Sequence, residues 1–149
     1  HRGIGAFKEA TLWIIKPERE GVGLPLIQQL KKASDDGETE IVELLKRQIE
    51  ILHRCEEAPE ALADRVDIFP LAGLTPGMTG VLVEEPELTT LICGDAIPTV
   101  EHYRRKMILQ DAASVEKARE SFAEALQIAD VLVLGRDGLV VNTLDIGAI

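Results

Sequence analysis

An apolar run that ends on a glycine and an aspartate is the stretch of this sequence best suited to chemistry. Leu91, Ile92 and Cys93 are followed at once by Gly94 and Asp95. A glycine lets the backbone turn sharply where a strand ends, so the next side chain is presented at the edge of the core. Functional residues of α/β folds often lie on such loops. The pattern therefore predicts that Asp95 belongs to a functional site.

Two other loops are expected to converge on Asp95. Residues 75–80, Thr-Pro-Gly-Met-Thr-Gly, precede it, with Met78 near their centre. Residues 134–138, Leu-Gly-Arg-Asp-Gly, follow it. The second of these loops contains Asp137. An aspartate in such a turn usually accepts hydrogen bonds from the backbone, but Asp137 is also an alternative carboxylate ligand for a metal.

A histidine follows Asp95 closely in the sequence. His102 is a candidate catalytic residue if its ring points back to these loops, but a helical histidine is also commonly an ordinary surface residue. Both interpretations stay open. The sequence lacks Gly-x-Ser-x-Gly, so the nucleophile elbow of α/β-hydrolases is not supported. No Gly-Lys-Ser/Thr follows the glycines of residues 73–80, which excludes a phosphate loop.

The loops lie between predicted strands and helices of a mixed α/β fold. Apolar and β-branched runs predict strands at residues 11–15, 66–69, 81–84, 89–93, 131–134 and 139–141. Helical spacing and capping signals predict helices at residues 25–33, 38–56 and 59–63, one within 98–109, and one that Ser114 caps. Gly21 and Gly23 are interpreted as a loop. The order of elements predicts helices that cover a sheet.

Length and composition describe a single acidic domain. The 149 residues are 46% hydrophobic, enough for a sizeable core, and the net charge is −10. A nucleic acid or an anionic membrane surface would need clustered Lys and Arg, so neither is expected as the main partner. No apolar run approaches the ~20 residues that span a bilayer. Cys55 and Cys93 lack the spacing of a zinc knuckle, which favours a reducing compartment, the cytoplasm.

The three loops, in this order, resemble the second half of the metallo-β-lactamase superfamily. In that family a Thr-Pro-Gly-His-Thr loop, a strand that ends in Gly-Asp and a late Pro-Gly-His loop supply metal ligands. Residues 75–79, Asp95 and residues 134–137 stand at these places. The resemblance implies an αββα sandwich with helices outside, a fold of metal-dependent hydrolases that usually bind zinc or iron.

The beginning of the chain also resembles the family, in the segment that follows its His-x-His-x-Asp-His motif. His1 is then the last histidine of that motif, everything upstream is absent, and the fold is expected to be incomplete at its N-terminus. The resemblance covers residues 1–17 and 65–143. Residues 18–64 are expected to form a helical region of the same domain, 1–149.

Two of the family's metal-ligand positions are changed in this chain. Met78 stands where the family has a histidine, and a thioether is a soft, neutral donor that suits zinc or ferric iron poorly. Arg136 stands where the last histidine is expected, and a guanidinium has no lone pair for a metal. Asp95 and His1 keep ligand chemistry, but two ligands are too few for a tight zinc site.

Loss of the metal predicts a new partner for Asp95. A carboxylate left unpaired in a partly buried place is unfavourable, and Arg136 lies on the neighbouring loop. We hypothesise that an Asp95–Arg136 ion pair replaces the metal site, with Met78 in the volume of the missing imidazole. The alternative is that Arg136 points to solvent while Asp95 only caps its turn through backbone N–H groups.

The resemblance therefore implies a divergent protein that descends from a metal-dependent hydrolase and has weak or lost hydrolysis. No zinc or iron is expected to be tightly bound. In the family, the segment that follows the Gly-Asp strand carries side chains that face the substrate. Met78, Arg136 and Tyr103 are therefore the residues expected to contact a small-molecule ligand at the place of the ancestral active site.

Two alternatives stay open. The first is an active metallohydrolase of an ester, lactone, thioester or phosphodiester, with metal ligands from the absent N-terminal segment or from a set that includes His1, Asp95 and His102. The second is a structural module that assembles through the sheet edge left by the missing half, as a homo-oligomer.

Overall fold

Residues 4–144 are described by the computed structural model, and the chain divides into two units, His1–Ala58 and Pro59–Ile149. Both units contain helices and strands, as expected for the predicted mixed α/β class. That the two units make one domain stays a prediction. Over the described range, no helix is long and apolar enough to cross a membrane.

The first unit consists of two helices and a two-stranded sheet. Its elements are a 3-10 turn at Ile4–Ala6, β1 at Leu12–Ile14, α1 at Lys16–Asp35, α2 at Thr39–Arg54 and β2 at Cys55–Glu57. Strands β1 and β2 pair in parallel. The two helices pack together through Leu26, Ala33 and Leu45, which are buried, so this unit has a small core of its own.

Helix α1 begins at Lys16, so the predicted loop at residues 21–23 is wrong. Pro17 suits the first turn because the N–H groups there have no partner within the helix in any case. Pro25 and two glycines are tolerated in the interior because Leu26 and its apolar neighbours pack against α2. Tertiary packing has outweighed the local preference against a helix.

The second unit is built on a six-stranded sheet. Its elements are β3 at Ala61–Ala63, β4 at Val66–Pro70, β5 at Thr79–Glu85, β6 at Leu88–Gly94, α3 at Val100–Arg105, α4 at Val115–Ile128, β7 at Val131–Leu134 and β8 at Leu139–Val141. The strands lie in chain order, and all neighbours are antiparallel except β6 and β7. Helices α3 and α4 form the crossover between this parallel pair. As predicted, Ser114 caps α4, since its side chain accepts a hydrogen bond from Lys117 N.

Two predicted helical segments are strands in the structure. Residues 59–63 were predicted as a short helix, but Ala61–Ala63 is an edge strand that pairs with β4. The helix predicted to reach residue 56 ends at Arg54, because Cys55–Glu57 pairs with β1. The partner of Cys55–Glu57 is distant in the sequence, and the partner of Ala61–Ala63 lies beyond a turn. The spacing of apolar residues within a segment does not reveal such a partner.

One face of the six-stranded sheet forms the core with α4. Leu91 and Leu132, on neighbouring strands, are fully buried, and Phe122 and Ala125 of α4 pack in the same cluster. Cys93 lies there too, and burial raises the pKa of its thiol to about 12. This cysteine is therefore a neutral packing residue and not a nucleophile.

The other face of the sheet, which we call the outer face, is also mostly apolar. The strand registers place two rows of side chains on it: Ile68, Val81, Ile92, Val133 and Leu139, and next to them Val66, Val83, Thr90, Val131 and Val141. Ile92 lies in the middle of its row and is 43% exposed. Contiguous apolar surface of this kind often marks an interaction surface.

The outer face offers a second route to a homo-oligomer, different from the predicted assembly through a sheet edge, and it can be tested. We expect the purified chain to self-associate, and Ile92→Thr to weaken the association because it keeps the β-branched shape and adds a hydroxyl that resists burial. The measurement is sedimentation over a range of concentrations. Val115→Thr changes an exposed apolar residue of α4 and serves as the matched control. A chain that stays monomeric at every concentration contradicts the prediction.

Candidate site at the ends of strands β6 and β7

Asp95 lies directly after strand β6, whose parallel neighbour is β7. Because the two strands run in the same direction, the loops that follow them leave the same edge of the sheet. The pairing shifts register between Ile92 and Gly94, and Gly94 has a φ of 53°, a left-handed conformation that glycine adopts without strain. The chain therefore turns at Gly94, as the sequence predicted.

The loop after β7 is hydrogen-bonded to the loop after β6. Gly135 N donates to Ile97 O at 3.2 Å, and Arg136 N donates to Pro98 O at 2.8 Å. A Cβ added to Gly135 would lie 2.3 Å from Gly94 O, so the two backbones meet at a distance that only glycine permits. These contacts fix the backbone position of Arg136.

Arg136 and Asp95 form a bidentate ion pair. Arg136 Nε donates to Asp95 Oδ1 at 2.9 Å, and Arg136 Nη2 donates to Asp95 Oδ2 at 2.8 Å. The planar guanidinium matches the two carboxylate oxygens. The hypothesised pair is confirmed, and the alternative with Arg136 in solvent is wrong.

The pair shifts the proton affinity of both partners. The hydrogen bonds from Arg136 lower the pKa of the Asp95 carboxyl below its ordinary value of 3.8, and partial burial opposes this effect. The same bonds raise the pKa of the Arg136 guanidinium, and the charge of Asp111 adds to the rise. The Arg136 and Asp95 side chains are 58% and 36% exposed, so solvent and salt screen their attraction. The pair therefore contributes more to geometry than to stability.

Met78 lies at the same place. Its Cε is 3.3 Å from the position that a Cβ would take on Gly94, and its side chain packs against the core of the sheet. Leu71 N donates to Met78 O at 2.9 Å, which holds this loop near the end of β4. The structure thus brings Met78, Asp95 and Arg136 together around Gly94, as predicted for the three loops.

His102 and Tyr103 are positioned by other contacts. Thr99 precedes helix α3, and its Oγ1 lies 2.8 Å from His102 Nδ1 and accepts a hydrogen bond from His102 N at 3.4 Å. Tyr103 is buried in the core, and its hydroxyl accepts a hydrogen bond from Thr143 N at 2.9 Å. These contacts direct both side chains to partners other than Asp95. Their catalytic and substrate-binding roles stay predictions.

Asp137 has a contact that the sequence did not indicate. Its Oδ1 accepts a hydrogen bond from Gly138 N at 2.9 Å, which is the predicted backbone contact. Its Oδ2 accepts one from Val100 N at 3.2 Å, at the first residue of α3. Both bonds lower the pKa of the Asp137 carboxyl. The turn sequence signals only the local bond, because the second depends on how two distant loops meet.

No family model matches this chain, and no curated protein matches it. The solved structures that are similar to it include two hydrolases. AidC, a dizinc quorum-quenching lactonase in complex with a product, has a TM-score of 0.65 and 16% identity, over 93% of this chain and 53% of that chain. The hydrolase AbOPH of the β-lactamase superfamily has a TM-score of 0.62 and 15% identity, over 94% of this chain and 53% of that chain. The chain has a metallo-β-lactamase-like fold.

The resemblance found in the three loops is confirmed at the level of the fold. The chain spans about half the length of the solved structures it matches. At these identities the likeness shows the metallo-β-lactamase-like fold alone, and the chemistry of this chain has to be argued from its own residues.

A zinc centre does not fit the residues at this end of the metallo-β-lactamase-like fold. Both oxygens of Asp95 accept hydrogen bonds from Arg136, which itself has no lone pair for a metal. Met78 offers only a thioether. Within residues 4–144, no three His, Cys, Asp or Glu side chains are arranged to hold a metal ion. His1, the other predicted ligand, lies outside the described residues.

The cavity that borders Asp95 is small, and the Asp95 side chain is also partly exposed to solvent. A cavity of about 10 Å³ borders Asp95, Ala96 and Leu74. A volume of this size holds about one water molecule. The cavity therefore has no room for a small-molecule substrate in this conformation.

The pKa of Asp95 gives a direct test of the ion pair. Because this pKa is lower in the folded state, the pair contributes stability above the unfolded value, and the contribution is lost as the pH falls through the folded value. We expect Arg136→Gln to raise the Asp95 pKa toward 3.8 in an NMR titration of the carboxyl carbon. Arg104→Gln, at an exposed arginine of α3, should leave it unchanged. An Asp95 pKa that does not respond to Arg136→Gln contradicts the prediction.

Proposed function

We propose that this chain descends from a metal-dependent hydrolase and no longer performs metal-dependent hydrolysis at Asp95. The observation that supports this proposal most directly is the bidentate contact between Arg136 and Asp95, at 2.9 and 2.8 Å. The bidentate contact places the permanent positive charge of Arg136 against both oxygens of Asp95, and this charge disfavours a metal cation at the same carboxylate. The metallo-β-lactamase-like fold supports the ancestry, and the changed side chains support the loss of the activity.

In this proposal the ion pair has a structural role. It joins the loops after β6 and β7, together with the hydrogen bond from Gly135 N to Ile97 O. A metal ion holds loops together by binding ligands from each of them, and its binding energy then contributes to folding. An arginine and an aspartate perform the same joining without a metal, although more weakly because they are exposed to solvent.

The experiment combines metal analysis with assays of hydrolysis. The purified chain is incubated with zinc or iron, desalted and analysed for metal, and is then assayed on lactone, thioester and phosphodiester substrates. We expect no retained metal and no turnover above buffer. Arg136→His alone should not create tight zinc binding, because Met78 still occupies a ligand position. Nanomolar zinc binding by the unchanged protein overturns the proposal.

The second candidate is a working metallohydrolase, and the nature of the two similar structures favours it. One is a dizinc lactonase and the other is also a hydrolase. In this case the ligands would come from outside the described residues or from a set that includes Asp95. Turnover that requires added zinc and is lost in Asp95→Asn supports this candidate. Turnover that persists in Asp95→Asn excludes Asp95 from the reaction.

A further inference from the structure

The first unit contains a groove that is lined only by its own residues. Helices α1 and α2 enclose it, and its volume is about 460 Å³. Sites for small molecules commonly have volumes of about 300–1,000 Å³ and are lined mainly by apolar side chains with a few polar groups. By size alone the groove is suited to a small organic ligand.

The walls of the groove are apolar. Leu24 and Ile27 of α1 line it and are 63% and 57% exposed. Ile49 and Leu52 of α2 line the opposite wall and are half-buried. An apolar chain lying between these residues would remove their exposed surface from water, which is favourable.

The polar residues that line the groove are Arg19, Glu20 and His53. Arg19 is half-buried, and its Nη2 donates to Cys55 O at 2.7 Å, which fixes the guanidinium. Its buried Nε has no hydrogen-bond partner among the described residues. An unsatisfied buried donor is unfavourable, and in a folded protein it calls for an explanation. Glu20 is exposed, so its charge is solvated more fully than that of Arg19.

A glycine contributes to the space in the groove. Gly23 lines it from the interior of α1, where glycine weakens a helix relative to alanine. A Cβ added at Gly23 would lie 3.9 Å from Leu52 Cδ1, an ordinary contact, so packing does not require a glycine here. A larger side chain at this position would project into the groove.

We propose that this groove binds an amphiphilic anion, a medium-chain carboxylate, with its chain between Leu24, Ile27 and Leu52 and its carboxylate at Arg19. The apolar walls match the chain, and the fixed guanidinium matches a carboxylate. Arg19 lines the groove and its guanidinium is fixed by the bond to Cys55 O, so a carboxylate bound there lies near a positioned positive charge. The site lies wholly within the first unit and is independent of the function proposed for Asp95.

The charge requirement is tested with three probes that share a ten-carbon chain. Decanoate, decan-1-ol and decyltrimethylammonium are titrated into the unchanged protein by calorimetry, with NMR to locate the shifted residues. We expect decanoate to bind and the cation to bind at least about tenfold more weakly. Arg19→Gln should weaken decanoate binding by about tenfold. Arg47→Gln, which removes an exposed positive charge of α2 outside the groove, should not. Equal binding of decanoate and the cation overturns the proposal.

The position of the site is tested at Gly23. Gly23→Leu should abolish decanoate binding while the melting temperature stays the same or rises, because leucine favours a helix. Gln29→Leu adds the same side chain at an exposed position of α1 outside the groove and should leave binding intact. Decanoate binding that survives Gly23→Leu overturns the proposal. A second result also overturns it: the unchanged protein binds no decanoate, forms a concentration-dependent dimer, and loses that dimer in Gly23→Leu. The occupant of the groove is then a second copy of the chain.

Discussion

Gly135→Ala is expected to destabilise the protein by about 1–3 kcal/mol, the range for side chains forced into filled space. The added Cβ would lie 2.3 Å from Gly94 O, 2.4 Å from Gly94 C and 2.9 Å from Asp95 N. These are backbone atoms, which cannot rotate away as the end of a side chain can. The loop after β7 must therefore move away from the loop after β6, and it carries Arg136 with it.

The loss should appear in two measurements. Urea denaturation should show the lower stability, and an NMR titration should show the Asp95 pKa closer to its ordinary value because the ion pair is disturbed. Gly138→Ala is the matched control: the same turn receives the same methyl group, and no atom of the described residues beyond its two chain neighbours lies within 4 Å of it. If Gly135→Ala and Gly138→Ala have equal effects, the close approach of the two loops is not what positions Arg136.

The ion pair at this site was predictable because it follows from residue types. Asp95 and Arg136 stand at places where the resembling family has metal ligands, and an arginine cannot bind a metal but can pair with the carboxylate. The same reasoning did not find the bond from Val100 N to Asp137 Oδ2. That bond depends on the path of two loops in space, and no property of the residue types encodes it.

The fold was predictable where apolar runs are bounded by turns. The hairpin of β5 and β6 and the strand β7 lie close to their predicted bounds because alternation and turn residues agree there. Helix α1 was predicted to begin too late because Pro17 and Pro25 both allow a helix start, and only contact with α2 decides between them. Strand β3 was missed because a three-residue edge strand is specified by its partner more than by its own sequence.

The double change Met78→His with Arg136→His is expected to create zinc binding that neither single change creates. With Asp95 it supplies three protein ligands, and catalytic zinc sites use about three, with water in the fourth position. Met78 already lies beside Gly94, and the Arg136 side chain already reaches Asp95. We expect the zinc affinity, measured by competition with a chromophoric chelator, to rise at least about 100-fold over either single variant.

The control for this prediction uses the other methionine of the chain. Met107→His with Arg136→His adds the same two imidazoles, but Met107 lies after α3 and is exposed. It should bind zinc no more tightly than Arg136→His alone. Equal affinity in the two double variants would mean that added histidines bind zinc wherever they are placed. Tight binding by the Met78 double variant alone would show that the fold keeps the geometry of a metal centre and that two side chains account for its loss.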